Sequence, residues 1–175
     1  MNDGSGRPAQ FRRLPIDLAT YGRRPREDPC FICRIVARDP GKVHHLVYED
    51  ERAIAFLNKY PTLYGYTLVA PRDHREQITG EFSVDEYLAL QRVIHRVGEA
   101  IRSEVPTERL YVASLGSQQG NRHVHWHLAP LPPGVPYAQQ QLDALDMRLG
   151  VLDVPDDDMA GLAARLRRRL ASGAG

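Results

Sequence analysis

The chain has few cysteines, no long apolar run and almost no net charge, and each shortage removes a class of function. Cysteine occurs only at Cys30 and Cys33 among 175 residues, too few for a disulfide scaffold. No apolar stretch approaches the length of a membrane span, and the opening run Met1-Asn-Asp-Gly-Ser-Gly lacks the apolar segment of a secretory leader. Lys plus Arg number 23 against 22 Asp plus Glu, so a formal charge of +1 gives no field to gather nucleic acid or an anionic membrane. Internal repeats are not apparent. With 42% hydrophobic residues, these absences predict a cytoplasmic, soluble protein with one domain's worth of core and room for tails.

What is present reads in segments. Residues 1–27 are rich in Gly, Pro and Arg and are expected to form a flexible basic arm. Asp28 and Pro29 open a short helix to about Arg38, ended by Asp39-Pro40-Gly41. Strands are predicted over 43–48, 52–57 and 65–70. A long helix follows, with Ser83 as its cap and Glu86 three residues on completing a capping box. Two more strands are predicted, over 109–115 and across the histidine-rich stretch that Pro130, Pro132 and Pro133 are expected to end. Residues 137–149 and 155–170 suggest further helices, the second with Asp156, Asp157 and Asp158 first and Arg165, Arg167, Arg168 and Arg169 last, which matches the helix dipole. Three strands before a helix and two after it, joined by short connections, predict an α+β fold with a five-stranded antiparallel sheet backed by a long helix. Residues 28–133 would form this domain and 134–175 a C-terminal helical extension.

The most informative stretch is His123-Val124-His125-Trp126-His127-Leu128-Ala129. Strict alternation predicts a strand with two unlike faces, one carrying three imidazoles roughly 6.6–7 Å apart and the other burying Val124, Trp126 and Leu128. Neutral imidazole is a nucleophile, an acid–base group and a metal ligand. A solvent-facing row and a pure metal clip are the blander alternatives. Cys30-Phe31-Ile32-Cys33 has the spacing of half a zinc site. With no second cysteine pair, a zinc there must draw on the seven histidines; two buried structural thiols are the alternative. A thioredoxin-like redox role lacks its βαβ setting.

Taken together, these segments resemble the histidine triad (HIT) family. The resemblance runs from about Cys30 to Pro130 and rests on an ordered set: Cys30-Phe-Ile-Cys33, Val47-Tyr-Glu-Asp50, Ala55-Phe-Leu-Asn58, Gly65-Tyr-Thr-Leu-Val-Ala-Pro71, His74 and the triad segment itself. It implies attack at the α-phosphate of a nucleotide. His125 would be the nucleophile, with its tautomer held by a backbone carbonyl, His127 would offset charge on phosphate or leaving group, and His123 would complete the catalytic triad. The resemblance places ribose recognition at Asn58 and phosphate contacts at Ser117, Gln118 and Asn121. Phe31, Ile32, Phe56 and Leu57 would form the apolar slot for a base. It assigns structural zinc to Cys30, Cys33, His74 and His123, with His44 or His45 as fallback for His74. No metal is required for the chemistry itself, and a homodimer is implied. One position departs: Tyr66 stands where the family usually has a histidine that supports the triad by hydrogen bonding. The activity so implied is that of a nucleotidyl hydrolase or transferase, with dinucleoside polyphosphates as the favoured substrates. A nucleoside phosphoramidase, a nucleotide-binding module with little turnover, and a zinc-stabilised interaction protein are the competing readings.

Overall fold

The computed structural model describes residues 11–19, 29–117 and 121–173. In chain order its elements are β1 (Arg13–Leu14), α1 (Phe31–Val36), β2 (Leu46–Glu49), β3 (Ala53–Leu57), β4 (Thr67–Pro71), α2 (Val84–Glu104), β5 (Arg109–Ala113), β6 (Trp126–Leu131), α3 (Leu142–Leu145), β7 (Val151–Leu152) and α4 (Asp156–Ala171). Five strands form one antiparallel sheet in the order β2-β3-β4-β6-β5. A second, two-stranded sheet pairs β1 with β7, so that part of the expected N-terminal arm is tied to the C-terminal extension.

Alternation along the strands divides the core in two. Ala53, Ala55 and Leu57 of β3 and Trp126 and Leu128 of β6 share one apolar cluster with residues of α2 and α4, α2 covering β6 and both helices covering β3. Ile54 and Phe56, with Ala129 and Leu131, point the opposite way and pack with Ile32 and Ile35 of α1 and Ala144 of α3. Helix α2 begins as its sequence dictates: Ser83 Oγ accepts from the Glu86 amide at 3.2 Å, and the Glu86 carboxylate accepts from the Ser83 amide at 2.7 Å. Its buried residues Leu90, Val93, Ile94, Val97 and Ile101 recur at helical spacing and form one stripe against the sheet. Each such side chain contributes roughly 1.5–3 kcal/mol on burial. Gly98 lets the helix lie close, since a Cβ there would come within 2.9 Å of Leu110 Cδ2. Helix α4 lies beside α2, joined by Glu104 to Arg165 at 3.2 Å and to Arg169 at 2.7 Å.

Three local expectations are corrected. Of the three prolines expected to end the last strand, Pro130 lies inside it, since β6 runs to Leu131 and stops just before Pro132. The ladder to β4 has already finished at Leu128, so on that side the missing amide of Pro130 is not needed. The triad is not wholly within a strand either. β6 starts only at Trp126, where its ladder to β4 ends opposite Val69, and the residues before it contact a loop, Val124 N donating to Arg75 O at 2.7 Å. Residues 137–149 are not one helix but a 3-10 turn, the single-turn α3 and another 3-10 turn. Gln141 in the left-handed region (φ 57°) and Asp146, capping the Arg148 amide, break the run. Asp28 and most of residues 1–27 lie outside the described residues.

Candidate active site

The alternation that buries Trp126 and Leu128 against the helices turns His123, His125 and His127 to the opposite side. His123 and His125 are buried. The His125 and His127 rings lie 4.8 Å apart, closer than a flat strand row would place them. The reason is local: the His125 ring folds back on its own backbone, Nδ1 lying 2.6 Å from the carbonyl of His123. A carbonyl only accepts, so Nδ1 carries the proton and Nε2 keeps its lone pair. Ser114 steadies the same turn by donating to the His125 carbonyl at 2.7 Å. Burial holds the His125 imidazole below its ordinary value. The His127 imidazole is pushed down to about 4 by burial and then by its His125 neighbour. Both are therefore neutral near pH 7. Tyr66 reaches His127 Nδ1 at 3.0 Å, while His127 Nε2 is buried without a hydrogen-bond partner among the described residues.

His125 and His127 open into a cavity of about 290 Å³. Phe31, Phe56 and Leu68 give it an apolar wall, and Asn58, Tyr60 and Asn121 supply polar groups. Asn58 Oδ1 accepts from the Tyr60 amide at 3.0 Å, which fixes the side chain and leaves its amide nitrogen to donate. Larger hollows elsewhere, such as one of about 500 Å³ beside Phe11, Tyr64 and Pro106, contain none of the histidines.

Next to the triad, on the other side of His123, four potential metal ligands converge. One donor atom each from Cys30, Cys33, His74 and His123 lies within 4.8 Å of every other. His123 Nδ1 is 3.3 Å from Cys30 Sγ and 3.6 Å from Cys33 Sγ, and His74 Nδ1 is 3.3 Å from Cys33 Sγ. Tetrahedral zinc, with bonds of about 2.3 Å to sulfur and 2.0–2.1 Å to nitrogen, sets a sulfur–nitrogen edge of roughly 3.6 Å, so the set fits. The outer ring nitrogens are held as metal-bound histidines require: His123 Nε2 by the Pro71 carbonyl at 3.0 Å, His74 Nε2 by Glu76 at 3.1 Å. Burial and the neighbouring Cys30 push the Cys33 thiol up to about 12, so a thiolate at Cys33 calls for a cation beside it.

A family model described as the HIT domain matches residues 41–133, which is more than half of the chain. The chain belongs to the HIT domain family. Among its relatives, an uncharacterised HIT-like protein of Saccharolobus solfataricus is 32% identical over 105 residues, 58% of this chain and 73% of that protein. The protein Hit of Bacillus subtilis is 27% identical over 146 residues, 82% of this chain and 95% of its own length. Among solved structures, a hypothetical histidine triad nucleotide-binding protein of Sulfolobus tokodaii superposes with a TM-score of 0.64 at 26% identity, over 82% of this chain and 93% of its own. A zinc-bound histidine triad family protein of Mycobacterium smegmatis does so at 0.61 and 23% identity, over 83% and 95%. The family model begins after Cys30 and Cys33, so those two ligands rest on their own geometry.

As a HIT protein the chain places its predicted residues unevenly. His125, His127, Asn58, Asn121 and Phe31 share the cavity. His123 is turned to the Cys30–Cys33–His74 group, and neither His44 nor His45 is needed there: His44 lines the cavity and His45 pairs with Asp156 at 2.9 Å. Leu57 is absent from the cavity, because the strand alternation gives Phe56 to the site and Leu57 to the helix-side core. Ser117 donates to the side chain of Asn121 but does not itself line the cavity, and Gln118 lies outside the described residues. Sequence reasoning missed Lys42, Lys59, Leu145 and Met147 on the cavity wall, and Glu76, which joins His74 to Arg122 at 2.9 Å. The lysines carry no motif. Leu145 and Met147 belong to the segment expected to be one continuous helix, in which their placement was not legible.

Proposed function

We propose that the protein is a nucleotidyl hydrolase or transferase that works through a nucleotidyl-histidine intermediate on His125, with dinucleoside polyphosphates as its favoured substrate class. The observation that carries this is the 2.6 Å hydrogen bond from His125 Nδ1 to the His123 carbonyl, which leaves Nε2 unprotonated inside the cavity. Nε2 attacks the α-phosphorus and forms a P–N bond while the P–O bond to the leaving phosphate breaks. A water, or another acceptor hydroxyl, then attacks the same phosphorus and gives up its proton to solvent. The P–N bond breaks, its electron pair returns to Nε2, and the nucleotide leaves. One displacement at a crowded anionic centre becomes two easier ones.

His127 supports both steps. With the Tyr66 hydroxyl donating to Nδ1, the proton of His127 sits on Nε2, a buried donor whose missing partner a phosphate oxygen supplies. Tyr66 thus takes over the supporting hydrogen bond that the family usually assigns to a histidine. Asn58 offers its amide to the ribose, Asn121 faces the phosphates, and Phe31 and Phe56 line the base. Cys30, Cys33, His74 and His123 would hold a zinc ion whose four positions are filled by protein, so it supplies structural support and leaves no open position for substrate. A homodimer belongs to the same reading.

The test is nucleotide release from diadenosine tri- and tetraphosphate, an adenosine phosphoramidate and a sugar nucleotide, with His125→Ala alongside. Release by the wild type that falls at least about 10³-fold in the folded variant is expected. Equal release by the variant, or none from any substrate by metal-replete protein, contradicts the proposal.

A further inference from the structure

The cavity has a charged end that the attack on phosphorus does not use. From His125 a run of rings leads away from the nucleophile: Phe31 lies 6.0 Å from His125, Phe56 6.4 Å from Phe31, and His44 5.3 Å from Phe56, each pair edge to face. Lys42 and Lys59 line the cavity together with His44. No carboxylate lines it, and neither lysine forms a salt bridge among the described residues, the Asp39 carboxylate near Lys42 being paired with Arg34. Lys42 is nevertheless half-buried, and the Lys59 ammonium is held 5.9 Å from the centre of the Tyr60 ring. His44 senses both: its imidazole is kept below the ordinary value by burial first, with the Lys59 and Lys42 charges adding to the effect.

Resting on the nucleotide reading above, we propose that Lys42 and Lys59 read the far edge of the base and make this site selective for 6-oxopurine nucleotides, carrying guanine or hypoxanthine, over adenine nucleotides. The geometry sets the direction. His125 fixes the phosphate at one end of the ring run, so a base against Phe31 and Phe56 turns its outer edge toward His44 and the lysines. An ammonium group only donates. Guanine and hypoxanthine present O6 and N7 to it, two adjacent acceptors, and lysine contacts to that pair are a common mode of guanine recognition. Adenine places its N6 amino group, a donor, where O6 would be. Two cations beside that amino group find one acceptor fewer and a dipole of the wrong sign. Because Lys59 is exposed, its contribution is screened, and the discrimination expected is about tenfold rather than several hundredfold.

The experiment is calorimetric titration of the full chain with GMP, IMP and AMP, for the wild type and for Lys42→Met, Lys59→Met and the double variant, with melting temperature as the check on folding. Expected for the wild type is GMP and IMP binding about tenfold tighter than AMP. In the double variant that preference should vanish, with GMP and IMP affinities falling to within about twofold of that for AMP. Equal affinities in the wild type overturn the proposal and leave the nucleotide reading standing. Equal weakening of all three ligands in the double variant also overturns it, since the lysines would then serve the phosphate. If none of the three binds to folded protein, the nucleotide reading itself fails and the base-edge assignment falls with it.

Discussion

The two faces of the segment from His123 to Leu128 have unlike surroundings. On one, Val124, Trp126 and Leu128 belong to the apolar cluster that also takes in the buried stripe of α2. On the other, His125 and His127 border a cavity, and His123 closes a set of four metal-type ligands. Adjacent residues therefore do unrelated work: even positions hold the sheet to its helices, odd positions supply neutral imidazoles to the cavity and to the ligand group. A period of two makes this separation possible, because a shift of one residue would exchange the faces completely.

That contrast can be broken from either side. The largest effect is expected on the apolar face. Trp126→Ala should cost about 3–5 kcal/mol of stability while release per folded molecule changes little, as read by urea denaturation and by activity normalised to the folded fraction. A loss of activity in fully folded protein would mean that the faces are coupled. Next comes the metal group. Chelation should lower stability by roughly 2–4 kcal/mol in the wild type and leave the Cys30→Ser/Cys33→Ser variant unmoved, because only the former has a bound ion to lose. Differential scanning calorimetry with and without chelator checks this, and an unshifted wild type argues against a resident ion.

A smaller effect separates the faces by pH. His127 is held at about 4 in the folded chain against about 6.5 when unfolded, and His125 is shifted in the same direction. Between those values the unfolded chain binds more protons. Stability should therefore be full above about pH 6.5 and fall by on the order of 1–3 kcal/mol as the pH drops toward 4. Denaturation midpoints at pH 7.5, 5.5 and 4.5 should show the slope, and His127→Gln should flatten it; an equal slope in the variant would place its origin elsewhere. The smallest change expected is Tyr66→Phe. Losing one hydrogen bond to His127, about 1 kcal/mol, should slow release several-fold with the melting point nearly unchanged. Unaltered release would show that the hydroxyl plays no supporting part.

Much of this architecture was legible in the sequence because it depends on spacing. Ser83 and Glu86 announce the start of α2, and the alternation around Trp126 announces which residues go inward. Cys30 and Cys33 announce a ligand pair by their separation. Where contacts between distant segments decide, spacing is silent. Nothing local distinguishes Phe56 from Leu57 as a cavity residue, since that depends on which face of β3 the helices cover. Pro130 reads as a strand terminator until the end of the β4 ladder is known. Leu145 and Met147 enter the cavity wall only because Gln141 and Asp146 break the segment that pattern alone suggests is one helix. Tyr66 departs from the pattern the resemblance suggests, and only the fold reveals its hydroxyl 3.0 Å from His127 Nδ1.

The central claim is that His125 becomes bonded to phosphorus, and the most direct measurement is to trap that bond. Protein mixed briefly with substrate and quenched in alkali, where a phosphorus–imidazole bond survives, would be digested with trypsin, and the peptide from His123 to Arg148 weighed. The account predicts a mass increase of one nucleoside monophosphate, located on His125 and missing from His125→Ala. Rapid nucleotide release with no such adduct, or an adduct on another residue, would contradict it.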